Sequence, residues 1–343
     1  MKYRTLGTTG VSVSRYCLGA MMFGAMGNTD HDECVRIIDR AIDAGINFID
    51  TADAYSGGES ERIVGRAIAG KRDELVIATK MYHPMGPGRN QKGNSRRWMR
   101  QALAGSLERL GTDRIDLYQL HRFDESTDID DSMGGLTDAT AAGQIIYAGH
   151  SAWPAERIVE GQWNARERGH VRFRCEQANY SILKRGIERS VLPTCERYGL
   201  GVITYSPLGG SWLSGRYRSI GDVPAESRLA TMARRWGGEI GSPENLARLE
   251  ATVRLQALAD EAGLPLVHLA MAWALEHPTV TSVIIGPRTM EQLDDLLVCA
   301  DLRLDTDLLD AIDAIVAPGG DVVVDDPSSD PSSLRARARR RTS

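Results

Sequence analysis

Several signals of common protein classes are absent from this 343-residue sequence. Its five cysteines are widely spaced and form no CxxC pair, which argues against a disulfide framework or a cysteine metal site and for reduced thiols. No uncharged apolar run approaches the roughly 18 residues that a membrane span needs. The first residues lack the apolar run of a secretory signal peptide. We therefore expect a cytoplasmic protein without a membrane partner.

An excess of basic residues is also missing, since 41 Lys and Arg stand against 46 Asp and Glu, for a net charge of -5. This balance is unlike that of a general nucleic-acid binder, so no nucleic-acid partner is expected. The 35 glycines and 13 prolines show no period, which excludes a collagen-like chain. With 42% hydrophobic residues the chain has enough apolar side chains for a large core.

Short apolar runs alternate with helix-like segments along the chain, at a spacing of about 30 residues that is typical of a βαβ unit. Their continuous apolar character is typical of parallel strands buried on both faces. The runs are residues 16–19, 47–51, 75–80, 115–121, 145–151, 175–181, 201–207 and 281–286. The helix-like segments are residues 31–44, 59–69, 95–110, 130–142, 154–168, 190–198, 265–276 and 289–299.

Eight strand–helix units predict an α/β fold of the (β/α)₈ TIM barrel type. The alternative is an open doubly wound sheet, but that fold normally carries a G-x-G-x-x-G fingerprint, which this sequence lacks. Residues 3–14 predict an N-terminal β-hairpin, and residues 208–242 predict a long loop after the seventh barrel strand, of the length that is usually functional or mobile. Residues 1–317 form the predicted barrel domain, and residues 318–343 form a predicted disordered tail.

Ionisable residues stand at the ends of three successive predicted strands, where the active sites of these barrels lie. Asp50 ends the second strand, Lys80 the third and His121 the fourth, while Tyr55 is in the loop after the second. Taken singly, each has a purely structural explanation, such as a turn cap or a core histidine. Taken together, they favour a site, because a buried Asp and a buried Lys each need a charged partner.

The chemistry of this group suits the reduction of a carbonyl. A neighbouring ammonium favours the phenolate and should lower the pKa of Tyr55, with Asp50 keeping Lys80 charged. His121 would donate a hydrogen bond to the substrate oxygen. Because no side chain supplies a hydride, a cofactor must provide it.

From residue 2 to residue 317 the chain resembles the aldo-keto reductases. The resemblance is carried by GINFIDTADAY at residues 45–55, ATK at residues 78–80 and DLYQLH at residues 116–121. It implies that Tyr55 is the general acid, that Asp50 and Lys80 tune it, and that His121 orients the carbonyl. The family binds NADPH on a barrel without a Rossmann domain, which agrees with the missing glycine fingerprint.

The resemblance also implies cofactor contacts, position by position. Ser151 and Gln177 would hold the nicotinamide amide, and Tyr205 would stack on its ring. Arg288, at a predicted helix N-terminus, suits a 2′-phosphate and favours NADPH over NADH. Ala152 stands where the family has a polar residue. The remaining implied contacts are Gly19, Met21, Asp50, Ser206, Pro207, Leu208, Gly210, Arg216, Arg228, Gly286, Gln292 and Asp295.

We therefore expect an NADP-dependent aldo-keto reductase that converts a small aldehyde or ketone to an alcohol. One alternative is a reductase of a keto-deoxysugar nucleotide, because residues 21–24 and 81–98 resemble those of bacterial reductases linked to deoxysugar pathways. A second is a nicotinamide-binding regulatory protein with little turnover, because some relatives are channel-associated subunits. A third is a Schiff-base lyase that uses Lys80, although a lysine paired with Asp50 is a poor nucleophile. The sequence does not specify an oligomeric state.

Overall fold

The computed structural model describes residues 1–225, 227, 229–231 and 239–323. Eight parallel strands close into a barrel in which neighbours along the chain pair with each other and the last strand pairs with the first. An antiparallel hairpin precedes the barrel and pairs Tyr3 with Ser14. The predicted (β/α)₈ barrel with an N-terminal hairpin is confirmed, and the closed sheet rules out the doubly wound alternative.

The strands begin and end close to the predicted apolar runs. The hairpin strands are β1 (Tyr3–Thr5) and β2 (Ser12–Ser14). The barrel strands are β3 (Tyr16–Gly19), β4 (Phe48–Asp50), β5 (Val76–Met81), β6 (Ile115–Leu120), β7 (Ile145–Ser151), β8 (Phe173–Asn179), β9 (Gly201–Tyr205) and β10 (Val280–Ile285). Most residues of the barrel strands are buried, as expected for parallel strands covered by helices.

Helices follow the strands and cover the outside of the barrel. They are α1 (His31–Asp43), α2 (Glu59–Ile68), α3 (Arg96–Leu110), α4 (Ile129–Ala141), α5 (Ala155–Arg168), α6 (Val191–Tyr198), α7 (Pro243–Glu261), α8 (Leu266–Glu276), α9 (Met290–Val298) and α10 (Thr306–Ile315). In α1 the side chain of Asp30 accepts a backbone hydrogen bond at the N-cap, and Cys34, Ile37 and Ala41 are buried on one face. Capping and apolar spacing thus specify this helix locally.

Two helices, α7 and α10, are not predicted by the apolar pattern. The buried face of α7 mixes Leu255 and Ala259 with the polar residues Thr252 and Gln256, so its hydrophobic periodicity is weak. In α10 the only fully buried residue is Ile312. Tertiary contacts, rather than a strong amphipathic pattern, specify these two helices.

The N-terminal hairpin closes one end of the barrel. Leu6 and Val13 of the hairpin pack into a buried apolar cluster with residues of the barrel strands. The strand residues of that cluster are Cys17, Phe48, Ala78, Leu117, Cys175 and Ile203. Because the N-terminal ends of the strands are covered in this way, the loops at their C-terminal ends form the face on which a site can be built.

The predicted long loop after β9 contains short 3₁₀ turns at Gly209–Ser214 and Ile220–Asp222. Residue Arg228, expected to contact the cofactor, lies outside the described residues. Residues 324–343 of the predicted tail also lie outside the described residues. In the described first part of that tail, Asp321 accepts a hydrogen bond from the backbone N–H of Gly186. Within the described ranges, every helix is too short or too polar to cross a bilayer.

Gly65 marks a close approach between α2 and α3. A Cβ atom there would lie 2.7 Å from the carbonyl oxygen of Leu110 and 2.8 Å from that of Arg109. Because these are backbone atoms of a packed helix, we expect Gly65→Ala to lower the free energy of unfolding by about 1–3 kcal/mol in urea denaturation.

The matched control for this substitution is Gly134→Ala in α4. A Cβ atom at Gly134 would make an ordinary 3.4 Å contact with the end of the Arg96 side chain. Alanine also favours a helix over glycine by about 1 kcal/mol, so stability should stay the same or rise. Equal stability of the two variants would contradict the close helix approach at Gly65.

Candidate active site

A buried ion pair joins the ends of two neighbouring barrel strands. The Lys80 ammonium in β5 lies 2.6 Å from Asp50 Oδ2 in β4 and donates a second hydrogen bond, of 2.7 Å, to the carbonyl oxygen of Thr51. Burial acts to lower the pKa of Lys80, but Asp50 and Tyr55 raise it above its ordinary value. The lysine is therefore charged at neutral pH, and the expected pairing of the two residues is present in the structure.

Tyr55 is brought over this pair by a tight turn. Residues Ser56, Gly57 and Gly58 all have positive φ angles, which fold the chain back directly after the tyrosine. The Lys80 ammonium lies 5.0 Å from the centre of the half-buried Tyr55 ring. The phenol and the ammonium thus face each other on the same rim of the barrel.

The expected direction of the pKa shift of Tyr55 is wrong. Burial raises the pKa above its ordinary value of 10.0, and the charge and polar contact of Lys80 reduce this rise without reversing it. The reason is that removing a phenolate from water costs more free energy than its attraction to the Lys80 ammonium provides. That attraction is reduced because Lys80 is itself paired with Asp50. The phenol is therefore protonated at neutral pH.

His121 completes the group directly after β6. Its ring meets the Tyr55 ring edge to face at 5.8 Å between centroids. Burial, together with the positive charges of Lys80 and Arg122, holds the pKa of His121 well below its usual range. The imidazole is therefore neutral at physiological pH and able to donate one hydrogen bond.

The second oxygen of Asp50 accepts hydrogen bonds from two glutamines on barrel strands that do not neighbour β4. Gln177 Nε2 in β8 donates to Asp50 Oδ1 at 2.8 Å, and Gln119 Nε2 in β6 donates to the same atom at 3.2 Å. Gln177 is the residue expected to hold the nicotinamide amide, and its own amide group here also supports the carboxylate. Gln119 was not singled out in the sequence, although it stands two residues before His121 on an inward-facing position.

The residues expected at the nicotinamide lie around the same mouth. Ser151, at the end of β7, donates from Oγ to the carbonyl oxygen of Gln177 at 3.0 Å. Ala152, which replaces the family's polar residue, has a φ of 55°. Gly19, at the end of β3, has no room for a side chain, because a Cβ atom would lie 2.5 Å from Ile284 Cγ2. Met21 lies just beyond it and is half-buried.

The segment after β9 leads from Tyr205 into a turn with unusual backbone angles. Tyr205 and Leu208 are half-buried and Pro207 is buried, while Gly210 is exposed. Ser206 adopts a φ of 56°, and its carbonyl oxygen accepts the backbone N–H of Gly209 at 2.9 Å. This turn places backbone N–H groups and the Ser206 hydroxyl beside the barrel mouth.

The expected adenosine end forms a separate part of the rim, after β10. Gly286 and Arg288 are exposed, and the backbone N–H of Arg288 donates to Gln292 Oε1 at 2.9 Å, in the first turn of α9. Asp295 lies further along α9 and accepts a hydrogen bond from His268 Nε2 at 3.0 Å. Arg216, in the loop after β9, is also exposed. The two arginines present positive charge at a helix N-terminus and a neighbouring loop.

Residues 15–317 match the model of the Aldo/keto reductase family. The chain belongs to this family. It is 36% identical over 334 residues to the uncharacterized oxidoreductase YrpG of Bacillus subtilis strain 168, an alignment that covers 94% of this chain and 98% of the relative. Two relatives named probable voltage-gated potassium channel subunit beta are 33% identical (Oryza sativa subsp. japonica) and 34% identical (Arabidopsis thaliana). Each of these two alignments covers 92% of this chain and 97% of the relative.

These comparisons confirm the resemblance stated from the motifs. Membership of the aldo/keto reductase family and similarity to an oxidoreductase support a carbonyl reductase. The four side chains expected to do its chemistry, Asp50, Tyr55, Lys80 and His121, lie together at the mouth of this family member's barrel.

Besides Gln119, sequence reasoning missed three further features of the site. His83, after β5, packs edge to face on His121 at 4.7 Å. Arg122 donates from Nη1 to the carbonyl oxygen of His121 at 3.0 Å. His150 and Glu176 form a buried pair on adjacent strands, just before Ser151 and Gln177. The need of a buried charge for a partner, which identified Asp50 and Lys80, could also have identified this pair.

A second buried group of charges lies behind the Tyr55 turn. The Glu61 carboxylate accepts hydrogen bonds of 2.6 Å from Thr79 Oγ1 and from Arg109 Nε. Asp53 is also fully buried, and no hydrogen bond of ordinary geometry from a described residue reaches its carboxylate oxygens. Burial, with the charge of Glu61, raises the pKa of Asp53 to about 7. Arg109 forms a hydrogen bond with Glu61, and its positive charge also acts on Asp53, where it only partly opposes the rise in pKa.

This carboxyl group predicts a pH dependence of stability. The pKa of Asp53 rises from 3.8 to about 7 on folding, so the unfolded chain releases the proton first as pH rises and stability falls between these values. Asp53→Asn removes this loss. The gain in unfolding free energy over the unsubstituted protein should be about 2 kcal/mol larger at pH 8 than at pH 5 in urea denaturation.

The exposed Asp310 in α10 provides the matched control. Asp310→Asn makes the same chemical change in water and should alter stability equally at both pH values. A gain for Asp53→Asn that does not depend on pH would show that Asp53 is already ionised in the folded protein at pH 5.

Proposed function

We propose that this protein reduces an aldehyde or ketone to an alcohol with NADPH, and that Tyr55 is the general acid. The observation that carries the proposal is the arrangement of a protonated phenol over a lysine that is held charged by a buried carboxylate. Such a phenol can give its proton to an oxygen that is becoming an alkoxide, while the ammonium stabilises the phenolate left behind.

Each residue of the group has one task in the proposed step. The carbonyl carbon accepts a hydride, which bound NADPH supplies, and the carbonyl oxygen accepts the Tyr55 proton. Neutral His121 donates a hydrogen bond to that oxygen and fixes its distance from Tyr55. Asp50 holds the ammonium of Lys80 in place, and solvent restores the proton to Tyr55 after the alcohol has formed.

The residues along the rim fit NADPH in their chemistry. Ser151 and Gln177 carry the hydroxyl and amide groups that a carboxamide needs, and Tyr205 is an aromatic ring that could stack on the nicotinamide. Within the described chain, the exposed Arg216 and Arg288 form no ion pair with an acidic residue, so both are free to bind phosphate groups.

Replacing the proposed acid tests the assignment directly. Tyr55→Phe should lower kcat for NADPH-dependent aldehyde reduction by about 100- to 10,000-fold, because only the hydroxyl is lost. The dissociation constant of NADPH, followed by cofactor fluorescence, should stay close to its original value. The control is Tyr3→Phe at the closed end of the barrel, where the hydroxyl donates only to the carbonyl oxygen of Gly45. A Tyr55→Phe enzyme as fast as Tyr3→Phe would overturn the assignment.

Arg288 should set the preference between the two nicotinamide cofactors. Its guanidinium is exposed beside the first turn of α9, where a 2′-phosphate would meet both the side chain and the helix N-terminus. Arg288→Met should weaken NADPH binding about 10- to 100-fold and NADH binding much less, in fluorescence titration. Equal losses for both cofactors would place the 2′-phosphate elsewhere.

A second candidate is a nicotinamide-binding subunit with little turnover, favoured by the two relatives named as channel beta subunits. The two candidates differ in rate rather than in binding. Single-turnover and steady-state reduction of the same aldehyde separate them, because a regulatory subunit would bind NADPH tightly but turn over only very slowly.

A further inference from the structure

Arg122 is a cation at the mouth of the barrel that the proposed reduction does not use. It follows His121, and its side chain is half-buried. Its Nη1 donates to the carbonyl oxygen of His121 at 3.0 Å, and its own carbonyl oxygen accepts a hydrogen bond of 2.8 Å from Asn94 Nδ2. Both the backbone of Arg122 and one arm of its guanidinium are therefore fixed before a ligand binds. Less conformational entropy of this side chain is then lost on binding.

The charge of Arg122 is not neutralised by any described residue. No described carboxylate forms an ion pair with it, whereas the charge of Lys80 is balanced by Asp50. The acidic residue two positions on, Asp124, uses its carboxylate to accept hydrogen bonds from Ser126, Thr127 and the backbone N–H of Asn94. The barrel mouth thus carries one uncompensated positive charge next to His121.

This charge acts on three neighbouring rings, those of His83, His121 and Tyr55. Burial lowers the pKa of His83 and of His121, and Arg122 lowers both further. The same charge opposes the rise in the pKa of Tyr55 that burial causes. Because both imidazoles are thereby kept neutral, Arg122 is the cation that a substrate group on this side would meet.

Arg122 is also on the wrong side of the barrel to bind the phosphates of the cofactor. It follows β6, the fourth strand in the closed order, whereas Arg216 comes after β9, the seventh, and Arg288 comes after β10, the eighth. The fourth and eighth strands of an eight-stranded barrel face each other across its axis. An anion bound by Arg122 therefore belongs to the substrate.

We propose that Arg122 binds an anionic group of the substrate, so that this reductase acts on aldehydes or ketones that carry a carboxylate or a phosphate. Its free guanidinium N–H groups would form charge-assisted hydrogen bonds with the anion while His121 and Tyr55 hold the carbonyl oxygen. The inference rests on the proposed reductase function and adds the substrate class to it.

The test compares aldehydes that differ in a single substituent: benzaldehyde, 4-carboxybenzaldehyde and 4-formylphenyl phosphate. The unsubstituted protein should show a kcat/KM at least about tenfold higher for one or both anionic aldehydes than for benzaldehyde. Whichever anion gives the higher value identifies the source of the charge. In Arg122→Met this ratio should fall by about tenfold, to near one, and Arg122→Lys should restore part of it.

Arg172→Met is the matched control, since it removes the same charge from an exposed position just before β8, at the closed end of the barrel. Its ratio should equal that of the unsubstituted protein. Equal kcat/KM values for all three aldehydes, or a ratio that survives in Arg122→Met, would overturn the proposal.

A binding measurement keeps this test separate from the test of the reductase function. In the presence of NADP⁺, calorimetry should show tighter binding of 4-carboxybenzyl alcohol than of benzyl alcohol, and Arg122→Met should abolish the difference. If no aldehyde is reduced but this difference is present, the reductase function fails and the anion site stands. If reduction occurs without any preference in rate or in binding, the anion site fails and the reductase function stands.

Discussion

The candidate site depends on the buried ion pair between Asp50 and Lys80. Transferring either ion alone into the barrel interior would cost several kcal/mol, and only mutual pairing with full hydrogen bonding offsets this cost. In the structure, groups on several strands form these hydrogen bonds. Lys80 also donates to the carbonyl oxygen of Thr51, while Gln119 and Gln177 donate to the second oxygen of Asp50. The barrel must close before these groups meet, so the site is a product of the complete fold.

The electrostatics of the mouth follow from burial more than from any single charge. Burial keeps the Tyr55 phenol protonated and His121 neutral, and the cations Lys80 and Arg122 modify both without reversing either. An acid that is protonated at neutral pH and a stabilising ammonium beside it are the two components that proton transfer to an alkoxide needs. A lowered pKa in the resting protein is not required for this, because the ammonium acts most strongly on the phenolate that forms during the reaction.

The two binding regions that we propose lie on opposite sides of the barrel mouth. The loops after β9 and β10 carry the exposed Arg216 and Arg288, which we assign to the cofactor, while Arg122 stands after β6 on the opposite side. Such a division follows from strand order alone, since each loop begins at a fixed angle around the axis. The hairpin covers the other end of the barrel with Leu6 and Val13, which leaves the loop face for chemistry.

The sequence by itself determined the repeat of strands and helices, and therefore the barrel and the strand ends that carry Asp50, Lys80 and His121. It could do so because buried parallel strands need continuous apolar runs, and because charges in such runs are rare. The apolar pattern did not predict helix α7, because its buried face contains the polar residues Thr252 and Gln256. The support of Asp50 by Gln119, the absence of a described carboxylate partner for Arg122 and the direction of the pKa shift of Tyr55 were decided only by the tertiary structure. Each depends on distances between strands far apart in the chain and on how much water they exclude, which local patterns do not specify.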